Sequence, residues 1–256
     1  MPWTFAHPAA VLPLRRLCPR WLSWPALVLG AMSPDLSYYI GLHAALRSYC
    51  HTVEGVLSLC LPASLLLLAA LWRFSRPLTV LLTEPHRRLA RAALQQPAHA
   101  APRALLTAVL SVLIGAGTHL LWDGLTHADH RGASLWPELN ATVLTALDRP
   151  LQDTQPLQHL STLAGSAVLA LAYRRACKRQ PAAAPQPLDR QRRRWLAGCA
   201  GLAALVGLGA AWALTPPDLA GYNYRLLARS VAWATSCGIT LYAVASALWW
   251  RWHGEA

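Results

Sequence analysis

Four stretches of this chain run for about twenty residues almost without charge, the length an α-helix needs to cross the hydrocarbon core of a bilayer. They are Val53 to Trp72, Ala104 to Trp122, Trp195 to Leu214 and Ser230 to Trp250. Two weaker candidates accompany them. Leu157 to Tyr173 is short and opens beside Gln158 and His159, and Trp21 to Leu42 is interrupted by Pro25, Pro34 and Asp35. No other property limits the possible folds so strongly, because a chain in hydrocarbon must satisfy every backbone polar group internally. The expectation is an all-α polytopic membrane bundle with five or six transmembrane helices.

The charge distribution points the same way. Only 13% of the residues are charged, about half the usual fraction in a soluble domain. A net charge of +12 would by itself suit a nucleic-acid partner. However, 14 of the 23 basic residues fall in two connections, 73–103 and 174–194. Clustering of that kind sets membrane orientation, so nucleic acid is the weaker reading and both connections are expected to be cytoplasmic. The connections 123–156 and 215–229 carry two arginines each, and are expected to face outward. Trp122, Trp195, Trp212, Trp249 and Trp250 stand near the expected helix ends, as interfacial anchors do. The six cysteines form no CxxC pair, and most lie in or beside apolar runs, where cysteine behaves as a small hydrophobe. The N-terminus lacks the basic stretch and adjoining apolar run of a cleavable signal.

Three parts are expected: a motif-bearing membrane domain over 1–178, a basic Pro/Ala linker over 179–194, and a pair of transmembrane helices over 195–256. The final pair is rich in Ala and Gly, which suits close helix packing in a membrane.

The polar residues of the front part carry the chemistry. In Gly-Thr-His-Leu-Leu-Trp-Asp-Gly-Leu-Thr-His, residues 117–127, His119, Asp123 and His127 are spaced four and four. Residues four apart on a helix share a face. Ionisable groups at membrane depth are costly and mark functional sites, and two imidazoles beside a carboxylate suit a divalent metal such as zinc. His7 precedes Pro8, Asp35 follows Pro34 inside an apolar segment, and His51 stands three residues before Glu54. His7, Asp35, His51, His119, Asp123 and His127 are thus candidate ligands. Asp35 and Glu54 are candidate catalytic carboxylates. Each has a plainer reading: Asp35 as a helix cap, Glu54 as a helix N-terminal charge, and His119–Asp123 as a buried hydrogen-bonded pair. A metal held this way ionises water near neutral pH and suits hydrolysis.

These residues carry a resemblance. Pro-Trp-Thr-Phe-Ala-His-Pro-Ala-Ala-Val-Leu-Pro-Leu at the N-terminus, Ala-Leu-Val-Leu-Gly-Ala-Met-Ser-Pro-Asp, His51, the 117–127 run and Leu-Gln-His-Leu-Ser at 157–161 together resemble a bacterial membrane family of unknown function, number 4184. More distantly the pattern is similar to inner-membrane metal-dependent hydrolases and to the zinc-dependent phospholipase C and P1 nuclease group. That similarity implies a helical bundle with His and Asp ligands from several helices, and phosphoester hydrolysis. It makes His7, Asp35, His51, His119 and Asp123 the implied ligands.

The leading expectation is a metal-dependent hydrolase in the bacterial cytoplasmic membrane, taking a phosphoester or lipid-linked substrate, with membrane lipid as its partner. The alternatives are a transporter or channel, in which intramembrane His and Asp serve ion paths, and a scaffold whose His–Asp pairs only join helices. One topological question bears on the site. If Trp21 to Leu42 crosses the membrane, His7 and His51 lie on opposite sides; if it is re-entrant, they can meet.

Overall fold

The computed structural model describes residues 3–18, 20–39, 44–95, 101–126, 142–146, 149–152, 154–184, 186–216 and 222–254. The protein is overwhelmingly helical. Helix α1 spans Trp24–Met32, α2 Leu61–Arg73, α3 His86–Ala93, α4 Ala101–Thr126, α5 Thr154–Lys178, α6 Asp189–Leu214 and α7 Tyr222–His253. Shorter helical turns fill much of the space between them. A two-stranded antiparallel ladder, Thr142–Ala146 with Arg149–Gln152, lies in the connection before α5.

Among the described residues, four helical stretches are long and apolar enough to cross a membrane: Val53–Arg73, Pro102–Leu125, Asp189–Leu214 and Leu226–His253. The number is close to the five or six expected, and the protein is an integral membrane protein by that measure. The two weaker segments differ from these four for physical reasons. Helix α5 carries Gln155, Gln158 and His159 in its first turns and Arg174, Arg175 and Lys178 in its last. Over its described residues, 21–39, the first apolar segment is not one regular helix. Pro25 falls in the first turn of α1, where its missing N–H costs nothing. α1 then ends after nine residues, as Ser33–Asp35 tightens into a 3-10 turn around Pro34. The chain stays helical through that turn and Leu36–Tyr39, a described run of sixteen residues that rises only about 24 Å, against a hydrocarbon core of about 30 Å.

The chain forms two compact units. The first comprises residues 1–37, 43–69 and 96–176; the second comprises 38–42, 70–95 and 177–256. The stretch read as a linker, 179–194, passes into α6 at Asp189, so Arg192, Arg193 and Arg194 are helical.

In the first unit, α1 lies hard against α4. A Cβ added to Gly30 would meet the Val112 carbonyl oxygen at 2.2 Å, and one on Gly115 would meet that of Leu27 at 2.4 Å. Only glycine allows two backbones so near. The Ser111 hydroxyl accepts from the Ser23 backbone N–H at 2.8 Å, covering an exposed amide at the start of α1. The N-terminal turns pack Val11 against Leu22, Leu27 and Ala31. On the far side of α4, Ala116 packs with Cys50, Val56 and Cys60, which anchors the turn between Cys50 and Val53. In the second unit, α6 and α7 meet through small residues, with Gly207 against Ala234. Near one end of that pair, Val80, Leu81, Ala245 and Trp249 form a buried cluster.

Candidate metal centre

Four segments of the first unit deliver side chains to one point. His119 and Asp123 come from consecutive turns of α4. Asp35 ends the 3-10 turn after α1. His51 lies between the helix Ala44–Cys50 and the Thr52 cap, whose hydroxyl accepts from the Gly55 N–H at 3.0 Å. His7 occupies the corner between the turn Thr4–Ala6 and the helix opened by Pro8.

His51 Nε2 stands 3.4 Å from Asp35 Oδ1 and 3.5 Å from Asp123 Oδ2. His119 Nε2 stands 3.8 Å and 3.3 Å from the same two atoms. His7 Nε2 lies 3.6 Å from Asp123 Oδ1 and 4.0 Å from Asp35 Oδ2. The His119 and His7 rings stack with centroids 3.8 Å apart. Asp35 and His119 are 0% exposed and Asp123 2%, while His51 is partly buried. His119 Nε2 and Asp35 Oδ1 make no hydrogen bond of acceptable geometry.

Those separations have a simple meaning. Ligands about 2.1 Å from a tetrahedral ion sit about 3.4 Å from one another. The donors of Asp35, His51, His119 and Asp123 could all hold one ion, and their spacing matches that figure better than it matches hydrogen bonding. Charge gives the same answer. Two buried carboxylates facing each other are costly unless compensated, and two carboxylates with neutral imidazoles balance one divalent cation.

The imidazoles are oriented by backbone. His119 Nδ1 lies 2.8 Å from the Ala31 carbonyl oxygen, and His51 Nδ1 lies 2.9 Å from that of Arg47. A carbonyl only accepts, so each Nδ1 carries a proton, and in the neutral ring Nε2 is the nitrogen left to offer a lone pair to a cation at the centre. The Thr4 hydroxyl donates to Asp35 Oδ2 at 2.7 Å and fixes that carboxylate. Burial disfavours a charged His51 ring, but the carboxylates of Asp123 and Asp35 outweigh it and push the pKa of metal-free His51 up to about 10.

The structure therefore brings together five of the seven residues singled out from sequence: His7, Asp35, His51, His119 and Asp123. Glu54 does not join them; it lies exposed on the first turn after the Thr52 cap, the place where a carboxylate favours a helix N-terminus. His127 lies outside the described residues. His159 is exposed on α5. Thr4 and the carbonyls of Ala31 and Arg47 escaped the sequence reading. A threonine three residues before a histidine gives no signal of its own, and a carbonyl has none at all.

An apolar cleft of about 250 Å³ opens beside the centre, lined by Ala6, His7, Ala9, Trp122, Ala164 and Val168 among others. Gly165 lets α5 approach this wall, since a Cβ there would stand 3.1 Å from the Ala6 carbonyl oxygen.

Neither the curated proteins nor the solved structures searched contain a match to this sequence. One family model does match, over residues 1–247, and by that extent the chain belongs to the family described as Domain of unknown function (DUF4184).

Proposed function

We propose that the protein is a membrane-embedded, metal-dependent hydrolase of phosphoesters, with lipid-linked phosphoesters as its substrate class and the bacterial cytoplasmic membrane as its setting. The observation that carries this reading is the convergence of three imidazoles and two carboxylates, buried and at the mutual spacing of metal ligands. Asp35, His51, His119 and Asp123 would hold a divalent ion such as zinc, with His7 as a further donor beside them. When bound, such an ion supplies water that ionises near neutral pH and a Lewis acid for a phosphoryl oxygen.

The chain's own residues do the rest. The carbonyls of Ala31 and Arg47 hold His119 and His51 in the tautomer that offers Nε2. The Thr4 hydroxyl keeps Asp35 from rotating. The close contact of α1 with α4 excludes bulk water, which strengthens every charge interaction inside. His7 borders both the centre and the apolar cleft, so a substrate chain lying in the cleft would place its headgroup at the donors. The cleft is the observation that favours a lipid-linked substrate over a soluble one, since apolar pockets bind by burying apolar surface.

The test uses the full chain purified in detergent, beside Asp123→Ala and the double variant His119→Ala/Asp123→Ala. Metal content is read by elemental analysis, and turnover with a chromogenic phosphodiester and with phospholipid in mixed micelles. About one metal per chain, with turnover that both variants lose, supports the proposal. Metal-loaded protein that cleaves neither substrate class faster than the double variant overturns it.

A further inference from the structure

A second cluster of polar groups lies in the second unit. Arg87 and Arg91 are one turn apart on α3, and so share a face. Both guanidinium groups reach back to the preceding turn. Arg87 Nε donates to the Leu82 carbonyl at 2.7 Å, and Arg91 Nε donates to the Thr79 hydroxyl at 3.1 Å. That turn, through Val80 and Leu81, packs on Trp249 of α7. Arg192 of α6 is fully buried, with its guanidinium carbon 5.6 Å from the Trp249 ring centroid. Three guanidinium groups thus surround the contact between residues 79–82 and Trp249.

The donors exceed the acceptors. Arg192 pairs with Asp189 at 3.1 Å, and Arg88 pairs with Glu84 at 3.8 Å. Arg87 and Arg91 have no carboxylate at ion-pair distance among the described residues. Arg87 is only 7% exposed. Its Nη2, the Nη2 of Arg91 and the indole Nε1 of Trp249 are buried without a hydrogen-bond partner. Burial, and next the Arg192 guanidinium, pull the pKa of Arg87 below its ordinary value. Buried N–H groups left unmade are costly, and all three of these are donors only. Donors of this kind suit an anion with several acceptor oxygens, for which the guanidinium fork is the matching shape.

We propose that Arg87, Arg91 and Trp249 form a binding site for a phosphate group, that of an anionic phospholipid. Its place in the fold argues for the lipid. The cluster sits where α6 begins and α7 ends, both membrane-length helices. Trp195, Trp250 and Trp252 lie at the same end, as tryptophans do at the headgroup level. Its residues 79–91 and 189–192 belong to the two connections richest in basic residues, and such basic segments draw anionic headgroups. Phosphate itself is the shared chemistry, so the experiment separates the lipid from the free ion.

The full chain, delipidated in detergent, is titrated with phosphatidylglycerol in mixed micelles, with phosphatidylcholine, and with inorganic phosphate. Tryptophan fluorescence and the unfolding midpoint are the readouts. The comparison is with Arg87→Gln/Arg91→Gln and with the exposed control Arg193→Gln. Expected is saturable binding of about one phosphatidylglycerol per chain, at least tenfold tighter than phosphatidylcholine. It should weaken at least tenfold in the double variant and less than twofold in the control. Wild-type protein that binds neither phosphatidylglycerol nor phosphate saturably overturns the site, whether or not the double variant folds. Equal weakening in the control also overturns it, by assigning the binding to general surface charge. Phosphate binding with no lipid preference overturns the lipid assignment.

Discussion

Gly115 offers a way to damage the candidate metal centre without touching any of its donors. It lies one turn before His119 on α4. A Cβ there would fall 2.4 Å from the Leu27 carbonyl oxygen and 2.7 Å from the Ala31 N–H nitrogen. Both are backbone atoms, so no side chain can swing aside. Relief to an ordinary contact needs α1 and α4 to part by about 1 Å. His119 Nδ1 now sits 2.8 Å from the Ala31 carbonyl. Parting by that amount would leave about 3.8 Å, beyond hydrogen-bond range. Gly115→Ala should therefore have two costs. Overpacking should destabilise the fold by about 1–3 kcal/mol. Losing the group that orients a ligand histidine should weaken metal binding about 10–100-fold, or about 1.4–2.7 kcal/mol. Gly117, two residues away on the same helix, has nothing within 4 Å of its added Cβ. Gly117→Ala should stay within about 0.5 kcal/mol of wild type and keep its metal. The assay is competition of the purified protein against a chromogenic chelator, with the unfolding midpoint followed in the same detergent. Wild-type affinity and midpoint in Gly115→Ala would refute the reasoning, because the helix contact would then not be what sets the ligand geometry.

Other consequences can be checked alongside. Chelation should lower the unfolding midpoint of wild type, since metal at a hundredfold over its Kd stabilises by about 2.7 kcal/mol; Asp123→Ala should show no such chelator effect. Thr4→Val keeps the side chain's shape but removes the hydroxyl on Asp35 Oδ2, and should weaken metal binding about 10–100-fold in the same competition assay. Protons and metal compete for the imidazole lone pairs, so apparent metal affinity should rise with pH and fall on acidification, as read by chelator competition across a pH series. Ala164→Trp should fill the cleft beside His7, reducing turnover of long-chain phospholipids by tenfold or more while sparing a small phosphodiester. Equal loss on both substrates would remove the cleft from the substrate path.

Much of this protein was legible in its residues because its strongest signals are local. A run of about twenty apolar residues has few alternatives to a membrane helix, and four such runs became four helices of that kind. The i, i+4 spacing of His119 and Asp123 needs only the pitch of one helix to put both on one face. Small residues in α6 and α7 foretold a close contact, met by Gly207 on Ala234. Glu54 shows the limit of such reasoning: its spacing from His51 would place both on one helix face, but the helix begins only after Thr52 and leaves Glu54 outside.

Sequence alone determined the helical membrane class and placed the two candidate donors of α4 on one face, since each depends on composition or on the period of a single helix. Tertiary structure decided that His7, Asp35 and His51 join them, from segments up to 116 positions distant in the chain. It did so by pressing α1 against Gly115 and turning the chain at Pro34, which sets His7 and His51 within 4.0 Å of the same two carboxylates. It also decided that the carbonyls of Ala31 and Arg47 face Nδ1 of two histidines. Every residue has a carbonyl, so only the packing of the backbone can say which one orients a ligand.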